Sequence, residues 1–169
     1  IQTDSGELIR CQFVGLTAGV RPNVAFLKDS TIATKRGILV NKYLETNQPD
    51  IYAIGDCAEQ QEPVPGRRSI EAVWYTGRMM GETLARTLTG TKTAYHPGHW
   101  FNSAKFFDIE YQTYGLVAAH PEDPEIHFHW QDSNKNLAIT VAFDKNTNEF
   151  LGINSFGIRM RHKLFDQIL

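Results

Sequence analysis

Asp50-Ile-Tyr-Ala-Ile-Gly-Asp-Cys-Ala-Glu59 is the stretch on which the fold turns. Ile51 to Ile54 form an unbroken apolar run between Gln48-Pro49-Asp50 and Gly55-Asp56. A short run with no polar alternation predicts a strand buried on both faces, as in a parallel sheet covered by helices. Open α/β sheets bind ligands beyond the carboxyl ends of their strands. Gly55 at that end lets a ligand approach the backbone, and Asp56 offers an acceptor to hydroxyl groups. A strand followed by a plain turn explains the same residues without any ligand.

Working outward, residues 1 to 17 read as two strands joined by a turn at Asp4-Ser-Gly6, the second being Cys11 to Thr17. Val24 to Lys28 suit a short helix after Pro22-Asn23, and Gly37 to Leu44 a further strand. Downstream, the prolines and glycine of Cys57 to Ser69 predict an irregular loop whose polar residues are solvated. A long helix follows. Ile70, Val73, Trp74, Gly77, Met80, Gly81, Leu84 and Leu88 recur at helical spacing, with Ser69 as N-cap and Gly90 as terminator. Two glycines on the apolar face mean that another backbone or a ligand packs close. Helix–sheet packing by itself satisfies that requirement too.

Beyond Gly90 the texture changes. Thr91 to Gly98 is a polar linker, and strand patterns then dominate. Ile126, Phe128 and Trp130 alternate with His127, His129 and Gln131, and Leu137 to Phe143 and Phe150 to Phe156 make further runs. The turn-rich joins Asp132-Ser-Asn-Lys-Asn136 and Asp144-Lys-Asn-Thr-Asn148 predict an antiparallel meander. Residues 101 to 118 add one or two strands. Arg159 to Leu169 close with a helix whose Met160, Leu164 and Ile168 cover the apolar face.

Composition excludes several classes. Charged residues are 21% of 169 and the net charge is −2, which leaves no electrostatic footprint for nucleic acid. No apolar run reaches bilayer-spanning length. Cys11 and Cys57 are far apart and outside any paired motif, which fits a reducing cytoplasm. The chain opens on Ile1, and it reads as a fragment that starts inside a domain.

Tyr52-Ala-Ile-Gly-Asp-Cys-Ala-Glu59, with Gly19-Val-Arg-Pro-Asn23 and Gly37-Ile-Leu-Val40, resembles the late part of the flavoprotein pyridine nucleotide-disulfide oxidoreductase superfamily. The resemblance is clear over about residues 11 to 90. It implies an α/β fold: residues 1–17 end an NAD(P)-binding domain, 18–95 are the C-terminal part of a Rossmann-like FAD-binding domain, and 96–169 form a small α+β antiparallel-sheet interface domain. The implied function is hydride transfer from NAD(P)H to FAD and on to an acceptor. Gly55 and Asp56 would close on FAD, the Asp carboxylate holding a ribityl hydroxyl. Aligning Gly77-Arg78 with the family's Gly-Arg pair places Glu71, Ala72 and Val73 at the flavin's pyrimidine edge, with Trp74 either covering the ring or packed in the core. Where the family shows Ala-Thr-Gly, this chain has Thr17-Ala18-Gly19, so the turn glycine is kept and the hydroxyl is displaced.

The implied partners are the N-terminal half of the same enzyme and a second copy. A homodimer would form through residues 96 to 169, where Trp100, Phe101, Phe106 and Phe107 exceed what so small a unit needs; Asn102 and Lys105 could then reach the partner's flavin. No two glycines stand a single residue apart, so the Gly-x-Gly-x-x-Gly phosphate cradle is absent. Alone, the chain should therefore hold little FAD and be inactive, and a non-catalytic dimerisation or binding module is the rival reading. His120-Pro-Glu-Asp-Pro-Glu125 has the His-to-Glu spacing of disulfide reductases, but with no Cys-x-x-x-x-Cys it reads as a surface turn. The histidines complete no zinc spacing, and no catalytic residue is assigned.

Overall fold

The computed structural model describes residues 1–165, 167 and 168. Two sheets organise it. The smaller pairs β1 (Ile38–Val40) with β2 (Ala58–Gln60) in parallel, with Ile38 opposite Ala58 and Val40 opposite Gln60. Against it lies α1 (Trp74–Leu88). Val40, Leu44, Ala53, Ala58, Met80 and Tyr95 form the core between them, extended by Ile38, Met79 and Leu84. Gly77 sits where the helix meets the Gly55 turn: a Cβ there would lie 3.5 Å from the Gly55 Cα. Of the two α1 glycines expected to face a closely packed backbone or ligand, Gly77 meets backbone here in van der Waals contact, whereas a Cβ on Gly81 would meet only the Ile54 side chain, at 3.9 Å.

Several expectations give way here. Ile51 to Ile54 are extended but form no strand. Tyr52 makes a single antiparallel bridge to Glu45, and Ala53 donates its N–H to the Leu44 carbonyl. Only Ala53 of the run is buried; Ile51 and Ile54 are exposed. Among the described residues nothing pairs with the segment's other edge, so the apolar run lacks the flanking strands that would bury both faces. The parallel partner of β1 is instead β2, inside the stretch read as an irregular loop. Glu59, read as solvated, is buried; its carboxylate accepts the N–H groups of Arg36 and Gly37 at 2.8 and 2.7 Å. Residues 1 to 17 carry one bridge, Gln2 to Leu8, and no second strand, with Phe13 and Leu16 almost fully exposed. The short helix is present as a 3-10 turn at Ala25–Leu27.

The larger sheet has five antiparallel strands: β3 (Phe101–Phe106), β4 (Ile109–Gly115), β5 (Glu125–Asp132), β6 (Leu137–Asp144) and β7 (Phe150–Phe156). Their order is β3-β4-β7-β6-β5, so the three runs read as a meander are neighbours and the earlier hairpin joins through β7. Glycines make that junction possible: a Cβ on Gly152 would meet the Leu116 N and O at 2.6 Å. Tyr114, Ile153 and Phe165 are the buried centre, with Phe101, Ile139, Val141, Phe150 and Met160 around them. The closing helix is shorter than expected, α2 (His162–Phe165). Phe165 stacks on Tyr114 at 4.5 Å, while Leu164 and Ile168 are half exposed. It therefore covers the middle of the apolar face and leaves Ile126, Phe128 and Trp130 open along the β5 edge. Of the expected Arg159–Leu169 helix, Arg159 to Arg161 precede α2 without helical structure, Gln167 and Ile168 form a turn, and Asp166 and Leu169 lie outside the described residues.

Candidate functional site

Each candidate residue is held by a local cause. Gly55 adopts φ +76, which only glycine takes without strain, and nothing stands within 4 Å of where a Cβ would project. The chain then turns through a 3-10 segment, Gly55–Cys57, that leaves the Asp56 side chain exposed. The floor for a close backbone approach and its neighbouring carboxylate thus coincide.

Across from it, α1 begins later than the periodicity suggests. Ser69 is not its N-cap, because the Ser69 carbonyl accepts the Gln60 N–H at 2.8 Å and so ties this segment to β2. Glu71 to Val73 lie outside the helix: the Val73 N–H donates to the Glu71 carbonyl at 2.9 Å in a tight turn, and Val73 is the cap residue. Valine has no oxygen to offer, and no side chain caps the helix. The first turn therefore presents amide N–H groups and the positive end of the helix dipole with no side chain compensating them.

The segment is held in place by Arg67. Its Nε and Nη2 donate to the two carboxylate oxygens of Glu71, each at 2.6 Å. Its Nη1 donates to the carbonyl oxygens of Pro97 and Gly98, and its guanidinium lies 5.2 Å from the centre of the Trp100 ring. Thr76 Oγ1 donates to the same Glu71 carboxylate. Both side chains are more than nine-tenths buried. This clamp fixes the entry to α1 and fastens it to the linker that leads into the larger sheet. Sequence reasoning missed it; the Arg-x-x-x-Glu spacing is present, but only the fold shows that the pair is buried.

These pieces line one cleft of about 900 Å³, where Asp56, Cys57, Glu71, Ala72 and Val73 face Val20 to Asn23, Arg36 and Trp100. Asp56, Glu71, Ala72 and Val73 are thus brought together, with Gly55 adjoining. Glu71 offers the cleft its backbone alone, since its carboxylate is consumed by Arg67 and Thr76. Trp74 is not core. It is two-thirds exposed, edge-on to Tyr75 at 5.2 Å, under the Arg78 guanidinium. An open floor at Gly55, an acceptor at Asp56 and uncompensated amides opposite fit a polyhydroxylated, anionic cofactor such as FAD.

The other constellations do not assemble a site. Glu125 pairs with His127 at 2.6 Å and also accepts the Ala118 N–H; His120 stays in an exposed turn. His129 bonds Thr140 at 2.9 Å. Asn102 stands opposite Thr113 and Lys105 opposite Glu110 on β3, away from the cleft's lining. Among the described residues, no group of three or more His, Cys, Asp or Glu side chains could hold a metal ion, and no helix is long and apolar enough to cross a membrane.

The chain is similar to known proteins in sequence and in fold. Residues 1–81 match the family described as pyridine nucleotide-disulphide oxidoreductase. The chain is 52% identical over 63 residues to an NADH-rubredoxin oxidoreductase of Clostridium acetobutylicum, covering 37% of this chain and 17% of that protein. It is 33% identical over 120 residues to rhodocoxin reductase of Rhodococcus erythropolis, covering 70% and 27%. In fold it is similar to a ferredoxin reductase from Rhodopseudomonas palustris, with a TM-score of 0.76 at 24% identity over 91% of this chain and 36% of that one. The chain thus spans less than a third of these curated relatives' length. On the family match and these relatives, the chain belongs to the pyridine nucleotide-disulphide oxidoreductase superfamily.

Proposed function

We propose that this chain is part of a flavoprotein oxidoreductase passing hydride from NAD(P)H to FAD and on to an acceptor, and that it supplies one wall of the FAD site. Superfamily members use FAD and NAD(P)H. The observation that carries the reading is the cleft in which Asp56 faces the uncapped start of α1. Bound FAD supplies reversible two-electron chemistry. This chain's residues do the holding. Gly55 admits the cofactor to the backbone, and Asp56 accepts a hydrogen bond from a ribityl hydroxyl. The amides near Glu71, Ala72 and Val73 stabilise negative charge at the ring's edge. The division of labour proposed is 1–17 as the end of the NAD(P)-binding domain, 18–95 as FAD domain and 96–169 as interface domain. The N-terminal half of the enzyme supplies the phosphate cradle.

In the complete enzyme, Asp56→Ala removes a charged acceptor worth roughly 1.5–3 kcal/mol, so the FAD dissociation constant rises before the hydride-transfer rate falls. Unchanged FAD affinity would remove Asp56 from the site. Residues 1–169 alone should emerge from gel filtration without flavin absorbance, because half a site lacks the helix that anchors the phosphates. The complete enzyme is proposed to dimerise through residues 96 to 169, a reading supported by Phe106 and the almost fully exposed Phe107 at the β3–β4 turn. A monomer by light scattering at micromolar concentration, insensitive to substitution of both, would end that proposal. Trp100 and Phe101, by contrast, are engaged internally with Arg67 and with the larger sheet's core.

A further inference from the structure

Behind the Arg67–Glu71 pair, on the side away from Asp56, lies a second cavity of about 210 Å³ between the end of β2, the loop after it and the linker at Tyr95 to Pro97. Two polar side-chain atoms in its lining are buried without a hydrogen-bond partner, Tyr95 Oη and Gln60 Nε2. Tyr95 is only 7% exposed, and its backbone N–H is pinned to the Lys42 carbonyl at 2.7 Å, so the ring cannot swing its hydroxyl to water without leaving the core. A buried polar group without a partner costs about 1–3 kcal/mol, and native folds rarely leave two beside one cavity.

The neighbouring charges narrow the chemistry. Arg67 and Glu71 also line this cavity, but they saturate each other and the 97–98 carbonyls. What remains in the lining is Lys42 and Arg68 against Glu62, with His96 and the Ser69 hydroxyl beside them. Two buried donors without partners, the Ser69 hydroxyl as a third and an excess of cationic side chains suit a compact acceptor that carries negative charge. We infer that this cavity is a binding site for a small oxyanion, an inorganic phosphate-like group or a short carboxylate, held by Tyr95 Oη and Gln60 Nε2. It adjoins the proposed FAD cleft across Arg67, Arg68, Ser69 and Glu71, which line both, but Tyr95 and Gln60 line only this cavity and Asp56 only the cleft.

The test is calorimetric titration of the purified protein with sodium phosphate and, separately, sodium acetate, in a buffer containing neither. One of the two saturates at millimolar concentration or below, and which one does so separates the phosphate-like from the carboxylate source. Tyr95→Phe weakens that binding about tenfold or more, the worth of one hydrogen bond to a charged group. Gln60→Glu, which replaces a donor with a like charge at equal volume, weakens it at least as much. Absence of saturation by either anion overturns the inference, as does wild-type affinity in Tyr95→Phe. Should Tyr95→Phe fail to fold by circular dichroism, Gln60→Glu decides alone, and unchanged affinity there is equally fatal.

Discussion

Residues 20–95 and residues 100–165 meet the demand for a core in different ways. The second region closes on itself: five strands pair in sequence-adjacent hairpins plus one crossover, and Tyr114, Ile153 and Phe165 fill its centre. The first has two paired strands of three residues each and one α-helix around its own apolar core, and adds buried polar fasteners. Glu59 holds two backbone amides, Ser69 is tied to β2, and Arg67 joins the helix entry to the linker. Two short strands make a marginal sheet. Such a region has an apolar core around Val40, Leu44 and Met80, and polar bonds fix the backbone that borders the cleft. The difference teaches where each region is fragile: one in its charges, the other in its packing.

The strongest test of that contrast is Arg67→Ala. Removing one member of a buried ion pair strands the other, at a cost of about 3–5 kcal/mol. Urea unfolding should show the loss, and it should be far greater than for Arg78→Ala, whose exposed pair with Glu82 is worth little. Equal midpoints for the two variants would mean that the clamp is not what holds the first region.

The packing counterpart is Gly152→Ala. Its new methyl would press on the Leu116 backbone, which cannot give way as a side chain end can, so a loss of about 1–3 kcal/mol is expected. Thermal unfolding by circular dichroism measures it. A neutral result would show the β4–β7 junction to be more pliable than the larger sheet's packing suggests.

A smaller effect sharpens the comparison by pH. Burial pushes the Glu125 carboxyl up, but the His127 hydrogen bond and charge and the Ala118 N–H together outweigh it and hold the group below its usual range. A carboxyl depressed in the folded state contributes stability above its unfolded pKa, and that contribution is lost as pH falls through the folded value. Glu125→Gln should therefore flatten the acid limb of the stability profile. An acid limb identical to wild type would show that this pair does not couple to folding.

The smallest effect has the opposite sign. Burial, then the Glu71 charge, pushes the Tyr95 phenol up to about 12, only partly offset by Arg67. Its buried hydroxyl lacks a partner, so in anion-free buffer Tyr95→Phe should be neutral or stabilising by up to about 1 kcal/mol. A phenol raised in the folded state also makes wild-type stability decline as pH rises between its ordinary value and about 12, and the variant should lack that decline. Clear destabilisation at neutral pH would mean that the hydroxyl has a partner in solution.

The amino-acid sequence by itself determined the strands of the second half, the turn at Gly55, the presence of the long helix and the superfamily. These depend on alternation, glycine and spacing, which act over a few residues and survive any tertiary context. It misplaced the helix start because the bonds that hold Arg67 and Ser69 outside the helix come from Gln60, Pro97 and Gly98, remote in the chain. It turned the Ile51–Ile54 run into a two-sided strand because hydrophobicity reports what could be buried, not which neighbours are there to bury it. It also judged Glu59 and Trp74 by residue type, placing a carboxylate outside and keeping open a core place for the indole, and the structure reverses both. Burial of a polar group depends on partners that only the assembled fold brings within hydrogen-bond reach. That is why the clamp, the cleft it shapes and the orphaned tyrosine behind it were decided by tertiary structure alone.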